Sequence, residues 1–219
     1  MTTDHYVPDP EADTAAVIDG FFGHIAATLR ELPDSGLLAA MRARHEELTA
    51  ANRHLVVDEA ALYNLRMTLA LVAAYEFLMP SLGRRDALDL VRTAFVEPLS
   101  EAVRQGTRAM LDSSPDPYRA MVDLAKSREQ HAFGAGFAFR HPVDDDSRFF
   151  ADVHRCFYHQ VLVANSAPEL TPVMCAFDAN WIEAIDPHEH GFRFERVTTI
   201  GLGGTHCPFH FLRTRAAHD

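Results

Sequence analysis

From residue 12 to about residue 130, apolar side chains return every three or four positions, the spacing of one helix face. The run DTAAVIDGFFGHIAATLREL opens with Asp13 and Thr14 and is followed by PDSG, so a helix is predicted between them. LLAAMRARHEELTAANRH gives a second, amphipathic helix. DEAALYNLRMTLALVAAYEFLM is apolar on most sides and is expected to stop at Pro80, as a helix buried in a bundle. In RRDALDLVRTAFVEPLSEAVRQGTRAML, Pro98 removes a backbone donor and predicts a bend or a split. PDPYRAMVDLAKSREQHA supplies one more helix. Residues 1–11, ahead of this pattern, read as a flexible arm.

After Phe133 the period changes from helical to alternating. Phe133, Ala135, Phe137 and Phe139 alternate, DDDS makes a turn, and RFFADVHRC alternates again, which predicts a hairpin. FYHQVLVAN reads as a short helix. SAPELTPVMCAFDANWIEAI reads as a second helix, with Ser166 and Glu169 at capping-box spacing. GFRFERVTTI alternates Phe192, Phe194, Arg196, Thr198 and Ile200, GLGG turns, and HCPFHFLRT alternates Cys207, Phe209 and Phe211 against His206 and His210. The order is strand, strand, helix, helix, strand, strand. The expected fold is α+β: a helical region over 12–132, then over 133–215 an antiparallel sheet covered by helices on one face.

Composition narrows the function. The net charge of −11, without a basic stripe, argues against nucleic acid, whose affinity rests on phosphate neutralisation. A small molecule or another protein is the expected partner, and the N-terminal helices are candidates for docking a second copy or a different chain. No apolar run reaches the ~18–20 residues of a membrane span, and the polar start lacks the pattern of a signal peptide. A cytoplasmic location without membrane contact is therefore expected. Three cysteines are too few and too odd in number for a disulfide framework, so Cys156, Cys175 and Cys207 are expected as free thiols or ligands. All three, and Trp181, lie in the last 64 residues, and nine of thirteen histidines follow residue 130. Chemistry is expected in the second half.

Three local arrangements carry that expectation, each beside a plainer alternative. Cys207 shares a strand face with Phe209 and Phe211, where a buried thiol is simple packing. Cys175 and Asp178 share a helix face one turn apart, beside a stripe of Leu170, Met174, Phe177, Trp181 and Ile185. A carboxylate there is costly unless partnered, although it could instead face water. In HRCFYH, Cys156 and His159 can form a thiol–imidazole pair if they meet in space. A metal site from three Cys and one His is disfavoured because no C-x-x-C occurs, and DPHEHG reads as a solvated loop. No metal and no cofactor is expected. G-x-S-x-G, P-loop, HExxH and dinucleotide fingerprints are absent.

Taken in order, RCFYH, APELTPVMCAFDANW and FRFERVTTIGLGGTHCPFHF resemble the L-2-amino-thiazoline-4-carboxylic acid hydrolase-like family, over about Phe149 to Phe211. The resemblance implies hydrolysis of a small cyclic amidine, or a ring-forming or eliminating step in a natural-product pathway. The family-like positions are Cys156, Cys175, Asp178, Thr199, Gly203, Gly204 and Cys207. On that basis Cys175, Asp178, Cys207, Cys156 and His159 are the candidate catalytic residues. Arg196, Thr199, Gly203, Gly204, Trp181 and His206 are the candidate substrate contacts. Asp178 would hold a cationic amidine, His159 would act as base, and Arg196 would take a carboxylate. Two other readings remain open: a non-catalytic partner subunit, and a ligand-binding module, since the glycine-turn ending is also similar to the 4-vinyl reductase domain.

Overall fold

The computed structural model describes residues 10–29 and 36–214. Five long helices come first: α1 (Pro10–Thr28), α2 (Leu37–Ala51), α3 (Glu59–Leu82), α4 (Arg84–Ser113) and α5 (Pro117–Arg128). The hairpin β1 (Ala138–Asp144) and β2 (Arg148–Arg155) follows, then α6 (Phe157–Ala164) and the short helices α7 (Thr171–Ala176), α8 (Ala179–Ile182) and α9 (Pro187–His190). β3 (Phe192–Glu195) and β4 (Cys207–Arg213) close the chain. The four strands form one antiparallel sheet in the order β1-β2-β4-β3. The fold is α+β, with helices preceding the sheet.

Several boundaries differ from the pattern. The first helix takes in Pro10 and Glu11, which the sequence assigned to the arm, and residues 1–9 lie outside the described residues, as does most of the PDSG connection. α3 runs through Pro80 and stops at Gly83, whose φ of 80° is open to glycine at little cost. Pro98 neither ends nor divides α4. Gly20 of α1 packs there, where a Cβ would lie 3.3 Å from the Pro98 ring, and the Val96 carbonyl beside the proline accepts from buried Asn180 Nδ2 at 3.1 Å. Tertiary packing at Pro98 outweighs the local cost of the proline.

The expected capping box does not form. Ser166 takes a left-handed φ of 57°. Glu169 instead accepts from the Tyr75 hydroxyl at 3.1 Å and faces Arg84 at 3.4 Å. Pro168 and Pro172 each open a new turn, so one expected helix becomes a 3-10 turn, α7 and α8. β3 is likewise shorter than its alternating run. Arg196, Thr198 and Ile200 leave the sheet, and an eleven-residue crossing, not a tight turn, joins β3 to β4.

Side-chain alternation sorts the sheet into two faces. Phe149, Ala151 and Val153 of β2 and Cys207 and Phe211 of β4 are buried against helices. Phe150, Asp152 and His154 of β2 and His210 of β4 occupy the other face. One apolar cluster runs from Phe22 and Leu69 in the helices through Phe157 and Met174 to Cys207. A second joins Leu111 and Tyr118 to Phe149, Trp181, Phe192 and Phe211. α3 is long and apolar enough to cross a membrane by length and composition alone, but it contributes twelve buried residues to the protein interior.

Candidate active site

Three thiols distant in sequence converge where the crossing between β3 and β4 lies against α6 and α7. Cys156 is the residue before α6, Cys175 sits in the last turn of α7, and Cys207 opens β4. Each is within electrostatic reach of at least one other: Cys156 of both Cys175 and Cys207, and Cys207 of Cys175. Asp178 and Arg196 act on both Cys175 and Cys207. The crossing supplies direct contacts as well, since the Ile200 N–H donates to Cys207 Sγ at 3.1 Å.

Burial decides the state of these thiols. It pushes Cys156 up to about 12 and Cys207 up to about 11, and it raises Cys175 as well. Backbone N–H groups of His159 and Tyr158 oppose the rise at Cys156 without making a capping hydrogen bond. Near neutral pH all three are therefore protonated. The ring of His159 does not supply a base for them in any contact it makes: its Nδ1 lies 2.9 Å from the Thr171 hydroxyl.

Asp178 and Arg196 are joined in a partly buried ion pair, with side chains 26% and 15% exposed. The other Asp178 oxygen accepts from Trp181 Nε1 at 3.1 Å, and Arg196 also donates to the Cys175 carbonyl at 3.2 Å. The guanidinium lies 5.1 Å above the Phe209 ring, and Trp181 packs edge-on to Phe194 at 4.8 Å. Asp178 and Arg196, expected to take opposite ends of a ligand, are partners of each other.

The glycines shape the crossing. Gly203 has φ 86°, and a Cβ on Gly204 would lie 2.8 Å from Thr198 Cγ2. Gly204 N–H donates to the Thr199 carbonyl at 2.9 Å, folding the crossing back on itself. Thr199 itself is buried. Among the described residues, its Oγ1 is the one buried side-chain polar atom without a hydrogen-bond partner. It lies near enough to the Cys175 thiol to favour the ionised form of that thiol.

His206 is not part of this group. Its ring lies on the opposite sheet face, stacked on His154 at 5.2 Å. Conversely, the sequence reading passed over Tyr158, a buried phenol whose proton is held above its ordinary range chiefly by burial and which neighbours Cys156. Its hydroxyl donates to Asn64 Oδ1 at 2.9 Å, and Asn64 Nδ2 donates to the Ala132 carbonyl. An Asn four residues before a Thr on the apolar helix LYNLRMTLA was the available signal. Neither of two clefts, about 500 Å³ beside Asp112 and His190 and about 290 Å³ on α4, is lined by the thiols.

The family model described as L-2-amino-thiazoline-4-carboxylic acid hydrolase matches residues 63–211. No curated protein and no solved structure matches the chain.

Proposed function

The chain belongs to the L-2-amino-thiazoline-4-carboxylic acid hydrolase family, the match covering well over half of its length, and from that membership we propose that it hydrolyses a small zwitterionic cyclic amidine. The unsatisfied Thr199 hydroxyl carries this reading. Buried polar groups are almost always hydrogen-bonded, and one left open beside an ion pair and three thiols fits a ligand that supplies the missing partner.

The ion pair suits such a ligand. An amidinium bearing a carboxylate has one positive and one negative end, the mirror image of Asp178 and Arg196. Binding would exchange one pair for two: Asp178 to the amidinium nitrogens, and Arg196 to the carboxylate, in a planar bidentate contact. Trp181 would keep Asp178 oriented through its indole N–H. Protonation makes the amidine carbon electrophilic. Water then adds its oxygen to that carbon, the ring C–N or C–S bond breaks, and the proton released goes to the departing atom, leaving a carbamoyl group. Because the thiols are held protonated, water is the attacking group in this scheme, and the sulfur atoms form a polarisable wall.

The test is turnover of 2-aminothiazoline-4-carboxylate followed by mass spectrometry. Asp178→Asn keeps the contact to Trp181 but loses the charge, and turnover is expected to fall about 100-fold or more. Thr199→Val should weaken binding with little change in fold. Wild-type protein that binds the compound without opening it would replace the hydrolase by a ligand-binding module. Unchanged turnover in Asp178→Asn would remove the assigned role.

A further inference from the structure

The contacts of the Arg196 guanidinium are those that a small planar cation would make in its place. Nη1 donates to Asp178 Oδ2, Nη2 donates to the Cys175 carbonyl at 3.2 Å, and one face lies 5.1 Å above the Phe209 ring. Two acceptors spaced for a nitrogen fork, with an aromatic face beneath, recognise a planar delocalised cation. An amidinium carries the same N–C–N fork, whereas a tetrahedral ammonium does not.

The acceptors are held in place by groups other than Arg196. Trp181 Nε1 donates to the second Asp178 oxygen at 3.1 Å, and the indole is itself packed against Phe194 at 4.8 Å and Phe211 at 6.1 Å. The Cys175 carbonyl is fixed by the last turn of α7, and Phe209 belongs to β4, with Phe194 of β3 at 5.7 Å. Arg196, by contrast, reaches in from the first residue beyond β3, and Val197 after it is 90% exposed. Neither cleft described above is lined by Asp178, Arg196 or Phe209, so room for a ligand here comes from the guanidinium leaving.

We propose that Asp178, the Cys175 carbonyl and the Phe209 ring form a seat for an amidinium or guanidinium ion, and that Arg196 occupies it as an internal competitor that a ligand's cation displaces. This rests on the reading of Asp178 as the partner of a cationic ligand, and it adds self-inhibition to that site. An internal occupant lowers the apparent affinity by the fraction of time the seat is free. A seat open about 1–10% of the time weakens a ligand roughly ten- to a hundredfold. The effect separates two kinds of ligand. A bare amidinium leaves the displaced arginine to water, while a zwitterionic amidine offers it a carboxylate. Arg196 therefore opposes the first and assists the second, which selects for a cation that carries its own anion.

The test titrates acetamidine hydrochloride into the full chain near pH 7.5, following the fluorescence of Trp181, the only tryptophan. Isopropylammonium chloride serves as the non-planar cation of like size. A saturable change is expected with acetamidine alone, and Asp178→Asn should abolish it. Arg196→Ala and Arg196→Gln should tighten acetamidine about tenfold or more, while weakening 2-aminothiazoline-4-carboxylate. In the wild type, acetamidine should speed phenylglyoxal labelling of Arg196, read by peptide mass mapping, because the displaced guanidinium enters solvent. Arg196 variants that weaken both ligands would make the arginine an ordinary ligand contact and overturn the inference. Labelling indifferent to acetamidine, or equal responses to the two cations, would overturn it as well. Acetamidine binding that tightens as stated, without turnover of the thiazoline, would sink the hydrolase and leave the seat standing.

Discussion

A thiol's proton is the smallest unit on which the candidate site depends. Cys156 keeps its proton up to about 12 and Cys207 up to about 11, against about 9 for an exposed thiol. Both shifts are upward, so above pH 9 the unfolded chain has released protons that the folded chain retains. The stabilisation from these neutral thiols is therefore complete below pH 9 and declines as pH rises from 9 through 11. Urea midpoints at pH 7.5 and pH 10 should differ more in the wild type than in Cys207→Ala, after the loss common to both pH values is subtracted. An equal pH effect in the two chains would show that Cys207 is not protected. The same burial predicts slow alkylation by iodoacetamide at pH 7.5 and fast alkylation once urea exposes the thiols. Trapping one thiol rapidly in the native chain would return that cysteine to the role of nucleophile.

At the scale of elements, the crossing between β3 and β4 is the part that makes the site, and its path depends on where side chains are missing. A Cβ on Gly201 would come within 3.0 Å of the Pro172 nitrogen, and one on Gly204 would meet Thr198 and the Thr199 carbonyl. Gly204→Ala should push Thr198 and Thr199 outward, costing about 1–3 kcal/mol of stability and moving the unsatisfied hydroxyl. A melting temperature and ligand affinity both equal to wild type would contradict this. The long helices, the β1–β2 hairpin and α6 were legible because each has a period of its own and needs no partner to declare it. The crossing was not: VTTIGLGG alternates like a strand, and only its contact with α7 takes it off the sheet. The Ser166 capping box failed for a related reason, since the spacing was right while Tyr75 and Arg84 claimed Glu169 from another helix. Cys156, Cys175, Asp178, Arg196 and Cys207 come together only in the folded chain, and spacing along the sequence does not set their separations. Their protonation and the Asp178–Arg196 pairing follow from burial, which spacing along the chain does not encode.

Over the whole molecule, the helical half and the sheet half share one interior. Asp58, the N-cap of α3, accepts from Ala61 N–H at 2.7 Å and from Ala135 N–H across the junction at 2.5 Å. Gly134 permits that approach, having φ 64° and leaving room that a Cβ, 2.9 Å from the Ala60 methyl, would fill. Tyr158 reaches back to Asn64, and Asn165 exchanges two amide hydrogen bonds with Asn52. Phe157, Val161, Leu162, Leu170 and Met174 pack in the same cluster as Leu65, Leu69 and Val72. A fragment spanning 133–214 would expose this apolar layer, and a small sheet with one face wet lacks the remaining core to compensate. It should show no cooperative thermal transition and no near-ultraviolet dichroism from Trp181, whereas the full chain should show both. Adding a separately expressed 10–132 fragment should restore the transition, because the buried face would then be covered again. A cooperative melt of 133–214 alone would mean that the thiol site stands on its own sheet, and that the helices serve some other purpose.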